Sequence, residues 1–218
     1  MTCCQTCAAS KAFDPAVARR DLRRFRRRGP DAATSAILAA VGHAAITESA
    51  TLLDVGGGVG AIHHVLLERG FSHATQVDAS EAYLAAAAEE AELRGHTGRV
   101  TFQHADFSLA GGEASPADVV TLNRVVCCDR NGPTLLEVAA SKARRAVAFS
   151  YPRERWLIRL GIALINAMQR IRREEFRVYL HSPVVLRSGL ERAGLKPAWT
   201  GGTWVWAVES WVRDATPG

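Results

Sequence analysis

Leu52-Leu53-Asp54-Val55-Gly56-Gly57-Gly58-Val59-Gly60 is a short apolar strand interrupted by one carboxylate, followed by four glycines in five positions. Such a run turns out of a buried strand and enters a helix. Glycine allows the tight turn and lets a ligand approach the backbone with no side chain in the way. The helix over Val59–Arg69 then points its free N–H groups at the loop. The pattern reads as a nucleotide-type cofactor site. Gly56, Gly58 and Ala61 also satisfy the dinucleotide pattern G-x-G-x-x-A, so the glycines alone do not choose the cofactor. Asp54 does: a carboxylate two residues before the first glycine would repel a pyrophosphate and suits a cationic end such as the ammonium of a methionine moiety.

Outward from this loop, strands and helices alternate. Strands are predicted over Thr51–Val55, Ala74–Asp78, Val100–His104, Val119–Asn123 and Ala146–Tyr151. Helices are predicted over Glu81–Arg94 and Pro133–Arg144. This alternation implies a parallel sheet covered by helices on both faces. Two helices precede it, Ala16–Arg28 and Ala32–His43, the second capped by Asp31. After the fifth strand come an apolar helix (Arg155–Arg172), a short strand (Arg177–Leu180), a helix (Pro183–Ala193) and a hairpin, Lys196–Thr200 with Thr203–Val212, joined at Gly201-Gly202.

The order apolar-apolar-Asp-apolar-Gly-x-Gly-x-Gly at 52–60 resembles the first motif of class I S-adenosylmethionine (SAM) methyltransferases. The terminal antiparallel hairpin is similar to that family as well. The resemblance covers about residues 50–151 at motif level. It implies an α/β, Rossmann-like, seven-stranded, mostly parallel sheet with an antiparallel C-terminal hairpin and an N-terminal helical appendage. It also implies SAM as cofactor and S-adenosylhomocysteine (SAH) as product. Asp54, Gly56, Gly57, Gly58 and Gly60 would hold the methionine end. Asp78, ending the second strand, can accept both ribose hydroxyls, with Ala79 beside it. By position in the family, Asp106 would meet the adenine amino group, with Phe107 against the ring. Asn123 tips the fourth strand beneath the transferable methyl. Amino-methylating nucleic-acid enzymes usually carry Asn/Asp-Pro-Pro-aromatic there; this chain has Asn123-Arg124-Val125-Val126, which counts against a nucleic-acid acceptor. The arginine-rich helix before the core and the apolar helix after the fifth strand are loosely similar to the magnesium-protoporphyrin O-methyltransferase-like group.

The organisation expected is a Cys-containing tail and basic helical lid over residues 1–48. A SAM-binding core over 49–218 follows, with an inserted apolar helix at about 154–173. The 218 residues suit one domain with accessory helices. Mean hydropathy is −0.02. No apolar leader and no run long enough to span a bilayer are visible, so the expected location is the cytoplasm. The net charge of +5 is local: Lys11 and seven arginines fall within residues 11–30 against Asp14 and Asp21. Only Phe25 interleaves these arginines, which gives little support to base stacking. The arm reads as a solvated helix, a lid, or an electrostatic footprint for an anionic partner. Arginines around the Arg155–Arg172 helix would also let it lie on a membrane surface.

The expected function is methylation of a small-molecule acceptor, at oxygen of a partly apolar substrate that can carry carboxylates. Methyl transfer is an in-line displacement needing alignment and exclusion of water more than a base. His181, at a predicted strand end, is a candidate general base. Cys127 and Cys128 follow the fourth strand, near the expected methyl. They read as packing residues, as a soft-ligand site for a metal or metalloid shared with Cys3, Cys4 and Cys7 (hence thiol or metalloid methylation), or, least in keeping with the sequence, as a nucleophile. Cys4-x-x-Cys7 has metal-compatible spacing and Cys3 adjoins it, but Cys127-Cys128 is not a normal zinc pair, and no metal ligand is assigned. A third reading is a non-catalytic SAM-binding domain whose basic arm docks on a partner. His63 and His64 follow the loop, one expected to face inward and one outward. The sequence leaves the oligomeric state open.

Overall fold

A computed structural model describes residues 11–44, 49–110 and 113–214. Two helices, α1 (Pro15–Arg28) and α2 (Ala32–His43), precede the sheet. The remaining order is β1 (Thr51–Val55), α3 (Ala61–Glu68), β2 (His73–Asp78), α4 (Glu81–Leu93), β3 (Val100–His104), α5 (Phe107–Ala110) and β4 (Ala117–Leu122). A single 3₁₀ turn (Val126–Cys128) then leads to α6 (Gly132–Lys142), β5 (Ala143–Pro152), α7 (Trp156–Ile171), α8 (Pro183–Arg192), β6 (Leu195–Gly202) and β7 (Trp206–Arg213). The seven strands pair in the order β3-β2-β1-β4-β5-β7-β6. β1 to β5 run parallel, and β7 is antiparallel to both β5 and β6. This is the expected Rossmann-like architecture.

Strand alternation sorts the core into two faces. Leu53, Val120, Val147 and Phe149 pack with Leu135, Leu136, Leu186, Leu190 and Trp211. Their neighbours Leu52, Val119 and Ala148 pack with Ile37, Leu38, Val41, Leu66 and Leu67. The central strands are therefore apolar on both faces, as a covered parallel sheet requires. A third cluster, with Leu22 and Phe25 of α1 against Ala86 of α4, fastens the N-terminal helix across the carboxyl end of the sheet. α1 is capped by Asp14, whose carboxylate accepts from the Ala16 and Val17 amides.

Two local expectations fail. Residues 177–180 form no strand. Both edge positions are taken by β3 and β6, so this extended segment bonds elsewhere. The Tyr179 N–H donates to the Cys127 carbonyl at 2.7 Å, and Val178 exchanges two bonds with the Asn166 side chain. The hairpin also turns later than Gly201-Gly202, with both glycines inside β6. Gly202 (φ +111°) lies where a Cβ would strike the Trp206 carbonyl at 2.1 Å.

Candidate functional site

Strand order reverses between β1 and β4, so their carboxyl ends diverge and leave a crevice, the usual ligand position in an open α/β sheet. The glycine loop enters it at Gly56, whose N–H donates to the Val77 carbonyl at 2.7 Å. Gly56 and Gly58 adopt φ of +60° and +58°, a region that favours glycine. The Gly58 N–H donates to Asp78 Oδ2 at 3.0 Å, and its carbonyl accepts from Gln76 at 2.8 Å. The end of β2 thus holds the loop.

Two cavities meet here. The smaller, about 150 Å³, runs between the glycine loop and the α1–α2 junction, past Arg24, Asp31 and Thr34. The larger, about 520 Å³, falls within the roughly 300–1,000 Å³ usual for small-molecule sites. Asp21, Gly56, Asn123 and Arg124 line both. The larger cavity has a polar end at Asp78, Ala79, Asp106 and Asn123. Its other end is apolar, built by Ile158, Ile162 and Ile165 of α7 with Phe176, Val178 and Trp206.

Asp78 is buried, and burial lifts its carboxyl to about 6, while the Ser80 and Gly58 amides pull it down. Ser80 caps α4, so Asp78 is not needed as the cap. The Asp106 carboxylate accepts from the Ser108 amide and hydroxyl at the start of α5. Phe107 is buried in the core and still borders the cavity. Asn123 is held from both sides: its amide donates to Thr34 Oγ1 and its carbonyl accepts from Ser150 Oγ, each at 3.0 Å. Ser150 Oγ also accepts from the Arg124 N–H at 2.7 Å, which holds Arg124 at φ +63°. A non-glycine residue in that region is held by its surroundings and often marks a functional turn.

Several expected site residues lie elsewhere. Asp54 is 0 % exposed. Its oxygens accept from Thr121 Oγ1 at 2.8 Å and His63 Nδ1 at 3.2 Å. It supports the loop from beneath and lines neither cavity. Gly60 (φ +81°) also misses both cavities; a Cβ there would strike His63 and His64. Both histidines face inward, contrary to the expected split. His64 shares a 3.1 Å hydrogen bond with His96, and burial, reinforced by His63 and His96, lowers its pKa to about 2.

His181 is not a base facing the cavity. Without the expected strand it folds onto the start of α6, where its Nε2–H donates to the Asp129 carbonyl at 2.9 Å and its ring packs against Gly132. Cys127 and Cys128 do reach the wall. Their sulfurs lie 3.9 Å apart and turn toward the Arg124 carbonyl. The hydrogen bond to Cys127 and burial raise the Cys128 thiol well above its ordinary value. That opposes the thiolate which metal or metalloid chemistry needs. Cys3, Cys4 and Cys7 lie outside the described residues, and within those residues no group of three or more His, Cys, Asp or Glu side chains could hold a metal ion.

Sequence reasoning missed Phe13, Asp21, Thr34 and Tyr83. The Tyr83 hydroxyl donates to Asp21 Oδ2 at 2.8 Å; burial and that carboxylate push the phenol's pKa upward. Phe13 packs between Tyr83, at a tilt, and Phe176, edge to face. These contacts close α1 over the crevice, and no local periodicity announces them.

The donor set fits a nucleoside sulfonium. Carboxylates at the polar end could accept from hydroxyls and an amine, and apolar walls suit a flat base. Across both cavities Asp21, Asp31, Asp78, Asp106 and Asp129 face only Arg24 and Arg124. That excess of negative charge favours a cation.

Comparison with known proteins bears on this geometry. Residues 52–148 match a family model described as a methyltransferase domain. No curated protein sequence matches the chain. Among solved structures, magnesium protoporphyrin IX methyltransferase of Synechocystis PCC 6803, with bound SAH, superposes with a TM-score of 0.73 at 18% identity, over 96% of this chain and 100% of that one. An O-methyltransferase family protein from Burkholderia thailandensis gives 0.69 at 18% identity, over 94% and 61%. A [4+2]-cyclase gives 0.61 at 13% identity, over 84% and 81%. At these identities the likeness is one of fold.

Proposed function

Since residues 52–148 match a methyltransferase-domain family model, we propose that the chain is a class I SAM-dependent methyltransferase that transfers the methyl group to an oxygen of a small, partly apolar acceptor, foremost a carboxylate. The observation that carries this is the two-ended cavity of about 520 Å³. Its carboxylates and Asn123 suit the cofactor, and its apolar remainder, walled by α7, suits an acceptor body. SAM would supply an electrophilic methyl carbon on sulfur. Asp78 would accept from the ribose hydroxyls, and Asp106 from the adenine amine, beside Ala79 and Phe107. Gly56, Gly57 and Gly58 would border the methionine end, with Asn123 beneath the methyl.

The chain's own task is alignment and exclusion of water. Tyr83, Asp21 and Phe13 close one side, and Ile158, Ile162 and Ile165 the other. Among the described residues, none on the wall is set up as a strong base. Tyr83 is held as a phenol, the Cys128 thiol is raised, and His181 faces α6. A carboxylate acceptor arrives already ionised and needs no base, whereas a phenol or alcohol would. With Arg124 and the cationic sulfonium to offset the acceptor's charge against the acidic lining, this favours carboxylate oxygen over the thiol and metalloid alternative.

The test uses methyl-labelled SAM with panels of aliphatic and aromatic carboxylic acids, phenols and thiols, following label transfer and SAH release. Label transferred to the acids first supports the reading. Transfer only to thiols, lost in Cys128→Ser, selects the alternative. SAH binding with no transfer to any panel selects a non-catalytic role.

A further inference from the structure

α7 has two apolar faces. The inner one, Ile158, Ile162 and Ile165, walls the cavity. The outer one, formed by Trp156, Leu157, Leu160, Leu164, Met168 and Ile171 at helical spacing, is open to solvent. Trp156, Leu164 and Ile171 are 72%, 61% and 83% exposed. An outward row of this kind on one helix marks an interaction site. Trp204, also exposed, extends it, with the Arg155 guanidinium 5.3 Å from its ring centre.

Charge identifies the occupant. α7 contains no acidic residue. Over residues 154–174, Arg155, Arg159, Arg170, Arg172 and Arg173 stand against Glu154 and Glu174 only. Among the described residues, none of these five arginines forms a salt bridge with a carboxylate. Arg159 and Arg170 flank the apolar row, where their stems can lie along it and their heads reach phosphate depth. A second copy would set two such arginine rims against each other. Length excludes spanning: 16 residues extend about 24 Å, short of the roughly 30 Å hydrocarbon core.

We propose that α7 docks this protein on the surface of an anionic lipid bilayer, its outer row among the acyl chains and its arginines at the phosphates. The inner face of the same helix would then put the apolar end of the cavity next to the bilayer. The docking does not depend on the identity of the acceptor.

The test is vesicle flotation of the full chain on phosphatidylcholine alone and on an equimolar mixture with phosphatidylglycerol, at low and high salt. Expected are binding to the anionic vesicles only, weakened by salt, and a blue shift of tryptophan fluorescence. Leu160→Asp with Leu164→Asp should lower partitioning at least about tenfold, and Arg159→Glu with Arg170→Glu should remove the preference for anionic lipid. SAH affinity, unchanged in both pairs, reports that the fold is intact. Absence of binding to anionic vesicles at low salt overturns the proposal, as does binding unaffected by either pair. A concentration-dependent dimer in sedimentation velocity, abolished by Leu164→Asp, would assign the face to a second copy instead.

Discussion

Asp78→Asn separates binding from stability. In the free protein burial holds the Asp78 carboxyl at about 6, against an ordinary 3.8. Because the folded pKa is raised, the folded state holds the proton more tightly than the unfolded one. The stabilisation is complete below the unfolded pKa and is lost as pH rises through about 6. At neutral pH the ionised side chain therefore costs about 3 kcal/mol. Asn removes that cost, and its amide oxygen can still accept one of the two amides from Gly58 and Ser80. Ligand-free Asp78→Asn should unfold at the same temperature as wild type or higher at pH 8. SAH affinity should fall by about 10- to 150-fold, the effect of losing hydrogen bonds to a charged group. In wild type, hydroxyls donating to the carboxylate stabilise the ionised form, so affinity should be flat above pH 7. Below pH 6 it should fall, by up to about tenfold per unit, and Asp78→Asn should lack this dependence. Calorimetric titration with SAH between pH 5 and 8.5, beside thermal melts, measures all three. A variant that melts lower at pH 8 yet binds SAH normally would refute the reasoning, as would a pH dependence that survives the substitution.

The other predictions concern residues whose surroundings are equally defined. A Cβ at Gly57 would lie 2.6 Å from an Asp54 carboxylate oxygen fixed by Thr121 and His63; Gly57→Ala should cost about 1–3 kcal/mol by urea denaturation. Gly161, inside α7, has open space at that position, and Gly161→Ala should raise stability by about 0.5–1 kcal/mol in the same assay. Glu209 is buried and accepts from Tyr151, Trp211 and Arg187. Since Arg187 is partly exposed, Glu209→Gln should cost about 2 kcal/mol, seen as a lowered melting temperature with SAH affinity intact. Tyr83→Phe removes the bond to Asp21 that latches α1; about 1 kcal/mol should be lost, with faster hydrogen exchange in α1.

Much of the sheet was legible because its information is local. A short, nearly continuous apolar run, and a glycine run directly after it, are properties of neighbouring residues. β3, predicted over Val100–His104, is observed over the same residues. The strand predicted over Arg177–Leu180 fails because a strand needs a partner edge, and the sequence does not say which edges are taken. His181 goes with it. Asp54 was read for its charge, correctly placed at the end of β1, but whether a carboxylate at a strand end points into the crevice or beneath the loop depends on Thr121 and His63, and Thr121 comes from another strand.

From the sequence come the fold class and the glycine loop after the first strand, and, through the family resemblance, the type of cofactor. The first two are set by chain order and by a short motif whose backbone demands only glycine meets; the third rests on Asp54 and the family resemblance. The tertiary structure decides the walls of the cavity. Phe13 and Asp21 of the N-terminal region, Asn123 and Arg124 beyond β4, and Ile158, Ile162 and Ile165 of α7 meet only when helices far apart in sequence close over one strand end. It also decides which acids and histidines are spent on structure. A side chain's environment is set by what packs against it, and for Asp54, His64 and His181 those partners lie 9 to 67 residues away.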